Sequence, residues 1–144
     1  MRDAIAMCVF CGWLAAAMAS PGGAADLTQE PGAAGIPLFI NEVMASNVST
    51  VRDLQLDFDD WIEIYNASEA PVDVGGMYLT NDPAEPTRWR FPDNEPGVTV
   101  IGPGGYLIVW ADEEVTDGGV HPIFKLHAGF KLDASGDEVC LFAA

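Results

Sequence analysis

A chain of 144 residues is long enough for one domain with its own core. It carries 22 Asp and Glu against 6 Lys and Arg, a formal net charge of −16. A surface of that sign repels phosphate backbones and anionic bilayers, which argues against nucleic acid as a partner and for solubility or cationic partners.

The chain opens on Arg2, then an apolar run from Ala4 to Ala19 broken only by Gly12. Ala17-Met18-Ala19 before Ser20 is a small-x-small pattern that suits signal peptidase, so residues 1–19 read as a signal peptide, with Ala25 as a second place for the cut. The run falls short of the ~20 residues that span a bilayer as a helix, so no stable membrane insertion is expected once the leader is gone. Residues 20–36 are rich in Gly, Ala and Pro and read as a linker, because they cannot bury enough surface to offset their ordering entropy. Cys8 and Cys11 leave with the leader on this reading. Cys140 is then expected alone, as a small buried apolar residue with no disulfide.

From residue 37 the pattern changes to short apolar runs separated by turn signals. Leu38 to Met44 reads as a first strand, and the polar stretch 45–60 as a long loop. In Trp61-Ile62-Glu63-Ile64-Tyr65-Asn66 the isoleucines alternate with larger or polar residues, the period of two that marks a strand with two different faces. Short strands are predicted over 72–74 and 77–80, the second opened by Gly75-Gly76, and again over 87–91 and 98–101. Gly102-Pro103-Gly104-Gly105 is a turn feeding Tyr106 to Ala111, the most apolar and most central strand. Phe130-Lys131-Leu132, a turn at Ser135-Gly136-Asp137, and Val139 to Phe142 close the chain. Turn signals at intervals of roughly 8–12 residues indicate an all-β sandwich. Its core is expected from Ile62, Ile64, Leu107, Val109, Val139 and Leu141, with Trp61, Trp89 and Trp110 closing its edge.

Candidates for reactive chemistry are sparse. Asp57, Asp59 and Asp60 form the densest carboxylate cluster and are the candidate calcium ligands, although their spacing lacks the central glycine and distal Glu of an EF-hand loop. His121 and His127 have no Cys or His pair beside them, which disfavours zinc. No Gly-x-Ser-x-Gly and no phosphate-cradling glycine loop is present, so no catalytic residue and no cofactor is expected. Asn47-Val48-Ser49 and Asn66-Ala67-Ser68 match the N-glycosylation pattern.

The ordered series Ile40-Asn41-Glu42-Val43, Trp61 to Asn66, Val74 to Leu79, Trp89-Arg90-Phe91-Pro92, Gly104 to Leu107 and Phe130-Lys131-Leu132 resembles the lamin tail domain, most closely its secreted bacterial branch. The resemblance implies an immunoglobulin-like antiparallel β-sandwich over 37–144. Trp61, Glu63, Asn66, Gly76, Trp89 and Gly105 would occupy signature positions with structural roles. It implies a further strand after the Val139 strand, so the domain is expected to be truncated at its C-terminal edge, leaving an unpaired, adhesive edge. It also implies a non-catalytic secreted or cell-surface module that attaches to a protein or cell-surface component. The alternatives are an N-terminal accessory domain of a larger secreted enzyme, a spore-coat-protein-H-like kinase or a nuclease, or a calcium-dependent binding module.

Overall fold

The computed structural model describes residues 6–11, 37–113, 120–121 and 125–144. The expected linker and the remainder of the expected leader lie outside the described residues. Strand β1 runs Ala6–Cys11, β2 Leu38–Met44, β3 Trp61–Asn66, β4 Val72–Asp73, β5 Tyr78–Thr80 and β6 Trp89–Arg90. A single helical turn α1, Pro96–Thr99, leads into β7, Val100–Ile101; β8 is Tyr106–Ala111, β9 Val120–His121, β10 Lys125–Ala128 and β11 Asp137–Phe142.

The molecule is an immunoglobulin-like β-sandwich. One sheet has five strands in the order β2-β3-β8-β10-β9, antiparallel except where β10 runs parallel to β8. The other has four antiparallel strands in the order β1-β11-β5-β6, and β4 pairs separately with β7. Period-two alternation decides which side chains go between the sheets. Ile62, Ile64, Val109 and Leu126 point inward from the five-stranded sheet and are fully buried, as are Leu79 and Val139 from the four-stranded sheet. Each such side chain contributes about 1.5–3 kcal/mol relative to an exposed one. Leu107 packs against this core at its margin. Trp89 belongs to the core and meets Phe91 edge-on, ring centres 4.6 Å apart.

Three local expectations are corrected. The stretch 98–101 is strand only over its last two residues, because Pro96 starts a helical turn that carries through Thr99. Phe130-Lys131-Leu132 alternates as a strand would, with Phe130 and Leu132 buried, yet among the described residues only Lys131 makes a bridge, to Asp112. The strand that joins the sheet is β10, just before it. The Val139 strand, β11, is not an open edge: β5 pairs on one side and β1 on the other.

Strand β1 bears on the cysteines. It lies within the segment that reads as a leader, and its register sets Cys8 opposite Cys140 and Cys11 opposite Asp137. Cys140 is fully buried and disulfide-bonded, where a lone thiol was expected. The expectation rested on losing residues 1–19; with them in place, a cysteine faces Cys140 directly across an antiparallel pair, at a separation a disulfide can bridge.

Candidate functional site

Chemistry of possible use gathers on the outer face of the five-stranded sheet, where the alternate residues of β2, β3 and β8 project. Register orders them in rows. At one end, Met44, Trp61 and Trp110 stand abreast; in the middle, Glu42, Glu63 and Ile108; at the other end, Phe39, Tyr65 and Tyr106. Asn41 is the extra residue of a bulge between Ile40 and Glu42, and its Nδ2 donates to Glu63 Oε1 at 2.8 Å. The tryptophan end is closed: Trp61 and Trp110 are 5% and 6% exposed. The tyrosine end is open: Phe39 is 50% and Tyr106 58% exposed, and the Tyr65 and Tyr106 rings stack at 4.8 Å with a 31° tilt.

The inner side of the open end is fastened by Asn66, the last residue of β3. Its Nδ2 lies 2.8 Å from Ala70 O, 2.9 Å from Ile101 O and 3.1 Å from Gly102 O, while its Oδ1 accepts from the Ser68 N–H and hydroxyl. Its backbone N–H donates to Gly105 O at 3.0 Å. One buried amide thus joins the turn after β3 to the turn before β8. Gly105 must lack a side chain here, because a Cβ would come within 2.9 Å of Gly102 O. Across the molecule Gly76 has φ of +82°, its carbonyl accepts from Arg90 Nε, and its N–H donates to Phe91 O.

A family model for the lamin tail domain matches residues 31–144, well over half of the chain. The chain belongs to the lamin tail domain family. No curated protein and no solved structure matches it. The lamin tail domain is a non-enzymatic immunoglobulin-like domain, of the kind that serves as a binding module.

Within this lamin tail domain the six signature residues fall into separate places. Trp61, Glu63 and Asn66 share β3 but not a face: Trp61 and Glu63 face outward and Asn66 inward, where it meets Gly105. Trp89 lies on the other sheet and Gly76 in the turn before β5, joined through the β6 segment. The Trp61 indole N–H is buried with no hydrogen-bond partner among the described residues, contrary to the expectation that a buried indole finds one.

Asp57, Asp59 and Asp60 serve a loop built around other residues. Asn47 is the hub: its Nδ2 donates to Val51 O and Asp59 O, its Oδ1 accepts from the Ser49 and Thr50 N–H groups and the Thr50 hydroxyl, and its N–H donates to Asp60 Oδ1. Buried Asp53 accepts from the Asp57 N–H at 2.8 Å. Among the described residues no group of three or more His, Cys, Asp or Glu side chains could hold a metal ion.

Both glycosylation matches are Asx turns. In each, the Asn Oδ1 accepts from the N–H of the serine two residues on, which explains the Asn-x-Ser spacing without a glycan. Asn47 and Asn66 are buried with their amides engaged, so neither offers an acceptor nitrogen in the folded chain.

One pair escaped sequence reasoning. His127 Nδ1 and Asp112 Oδ2 meet at 2.5 Å, both side chains almost wholly buried. They are fifteen residues apart, on β10 and just beyond the end of β8, and only the parallel pairing of those strands brings them together. His121 belongs to β9, and its side chain lies outside the described residues.

Proposed function

We propose that this lamin tail domain is an extracellular binding module that attaches to a basic protein or cell-surface component. The observation that carries the reading is the outer face of the five-stranded sheet, where exposed aromatic rings stand beside Glu42 and Glu63, which have no ion pair among the described residues, on a chain of net charge −16. Aromatic residues with a clear line to solvent supply contact area, and the surrounding negative field draws a cationic partner and sets its orientation. The family membership supports a non-catalytic role. Export is supported by the leader pattern at the N-terminus.

The test is retention of the purified full chain on immobilised polyarginine against immobilised polyglutamate. The proposal expects retention on the first alone at about 0.15 M salt, falling more than about tenfold at about 0.5 M. No retention on polyarginine, or retention that ignores salt, contradicts it.

A further inference from the structure

Three of the chain's arginines are occupied elsewhere. The Arg52 guanidinium lies 4.3 Å from the centre of the Phe58 ring. Arg88 reaches Glu85 and the Phe130 ring, and Arg90 pairs with Asp93 at 3.0 Å while lying 6.0 Å from the centre of Tyr78. Among the described residues no ion pair reaches Glu42 or Glu63. These two carboxylates nevertheless stand directly opposite each other on neighbouring strands, where like charges repel. Asn41 donates to one oxygen of Glu63 and leaves the repulsion otherwise unrelieved.

One row away lie Phe39, Tyr65 and Tyr106. Strands in a sheet are about 4.8 Å apart, so this row offers about 10 Å of aromatic surface. Ring faces and carboxylates side by side suit a guanidinium, which stacks flat on an aromatic ring and forks to a carboxylate. Arg90 shows the chemistry within this chain, held between the Tyr78 ring and the Asp93 carboxylate. Tyr65 and Glu63 are two residues apart on β3, about 7 Å along the strand. Alternate side chains of an extended peptide have the same spacing.

We infer that Phe39, Tyr65 and Tyr106, with Glu42 and Glu63, form a docking site for an extended peptide segment carrying arginine at alternate positions. One guanidinium lies on the aromatic row and the next between the two glutamates. Charge selects this occupant. A second copy of the chain brings another −16 to the contact, and a neutral glycan would use the rings while leaving the glutamate repulsion in place. The inference rests on the binding-module reading and locates that module's contact surface.

The experiment is calorimetric titration of the full chain with the synthetic peptide Arg-Ser-Arg-Ser-Arg, run beside cellohexaose, with sedimentation to read self-association. Variants are Phe39→Ala, Tyr106→Ala and Glu63→Gln, with Glu69→Gln as an exposed control that changes net charge equally. The expected result is a loss of about fivefold or more for each aromatic variant and about tenfold for Glu63→Gln, against less than about twofold for Glu69→Gln, with melting temperatures of the aromatic variants near wild type. Equal losses for Glu63→Gln and Glu69→Gln with unaffected aromatic variants overturn the site while the binding-module reading stands. No peptide binding by the wild type, in a chain that polyarginine also fails to retain, overturns both. Binding of cellohexaose that Tyr106→Ala abolishes, without peptide binding, or a dimer that Tyr106→Ala dissolves, overturns the cationic occupant.

Discussion

The two ends of one sheet face have opposite fates. Trp61 and Trp110 face each other across β3 and β8 at one end, and Tyr65 and Tyr106 do the same at the other. Both pairs are aromatic, both face away from the sandwich core, and they lie on the same two strands. Yet the tryptophans are buried and Tyr106 is more than half exposed. Strand alternation settles which face a side chain joins; the loops settle whether that face meets water. At the tryptophan end the loop after β2 returns so that Asp60 O accepts from the Ala111 N–H. At the tyrosine end the turns held by Asn66 pass on the inner side and leave the rings uncovered.

The sharpest way to break this contrast is to truncate one ring at each end. Trp110→Ala should cost about 4 kcal/mol in urea unfolding, because it opens a cavity the size of an indole. Tyr106→Ala should cost less than about 1 kcal/mol, as expected of a surface position. Next comes Asn66→Asp, which sets a carboxylate oxygen against three carbonyl oxygens in place of a donor; a loss of about 3–4 kcal/mol is expected. Asn47→Asp does the same to the loop beside the tryptophan end, and the tryptophan fluorescence should then shift towards that of wetter indoles.

Reduction of the uncut chain should lower its stability by about 3 kcal/mol, read by unfolding with and without reductant. A chain cut after Ala19 lacks Cys8 and the strand beside β11, so it should show a titratable Cys140 thiol and no response to reductant. The smallest effect concerns pH. Hydrogen bonds from the Ser135 side chain, then its backbone N–H, hold the fully exposed Asp133 carboxyl below its ordinary 3.8. A depressed folded-state value adds stability at pH above the unfolded one and loses it as pH falls through the folded one. Ser135→Ala should therefore lower the melting temperature slightly near neutrality and leave it unchanged in strong acid, where Asp133 is protonated in both chains, so that the fall on acidification is flatter.

How much of this was legible in the sequence depends on where the information sits. Strands β2, β3, β8 and β11 are readable because Ile62 and Ile64, Leu107 and Val109, and Val139 and Leu141 repeat with the period of the pleat. The resemblance to lamin tail domains rests on the same segments. Residues 130–132 also alternate, but alternation reports burial on one side and says nothing of a hydrogen-bonded neighbour, so the strand was expected a few residues too late. Strand β1 was hidden because its apolar run is what a leader also shows. The Asp112–His127 pair and the Glu42–Glu63 opposition exist only through register between strands. Asn66 was readable as a signature position; that its side chain ties two distant turns was not.

The most direct test of the contrast between the two ends is a nitrogen–proton NMR titration of the full chain with the arginine peptide. The account predicts shifts concentrated at the Phe39, Glu63, Tyr65 and Tyr106 amides, with the Trp61 and Trp110 indole signals unmoved. Shifts spread evenly over the acidic loops, or movement of those indoles in step with the tyrosine end, would contradict it.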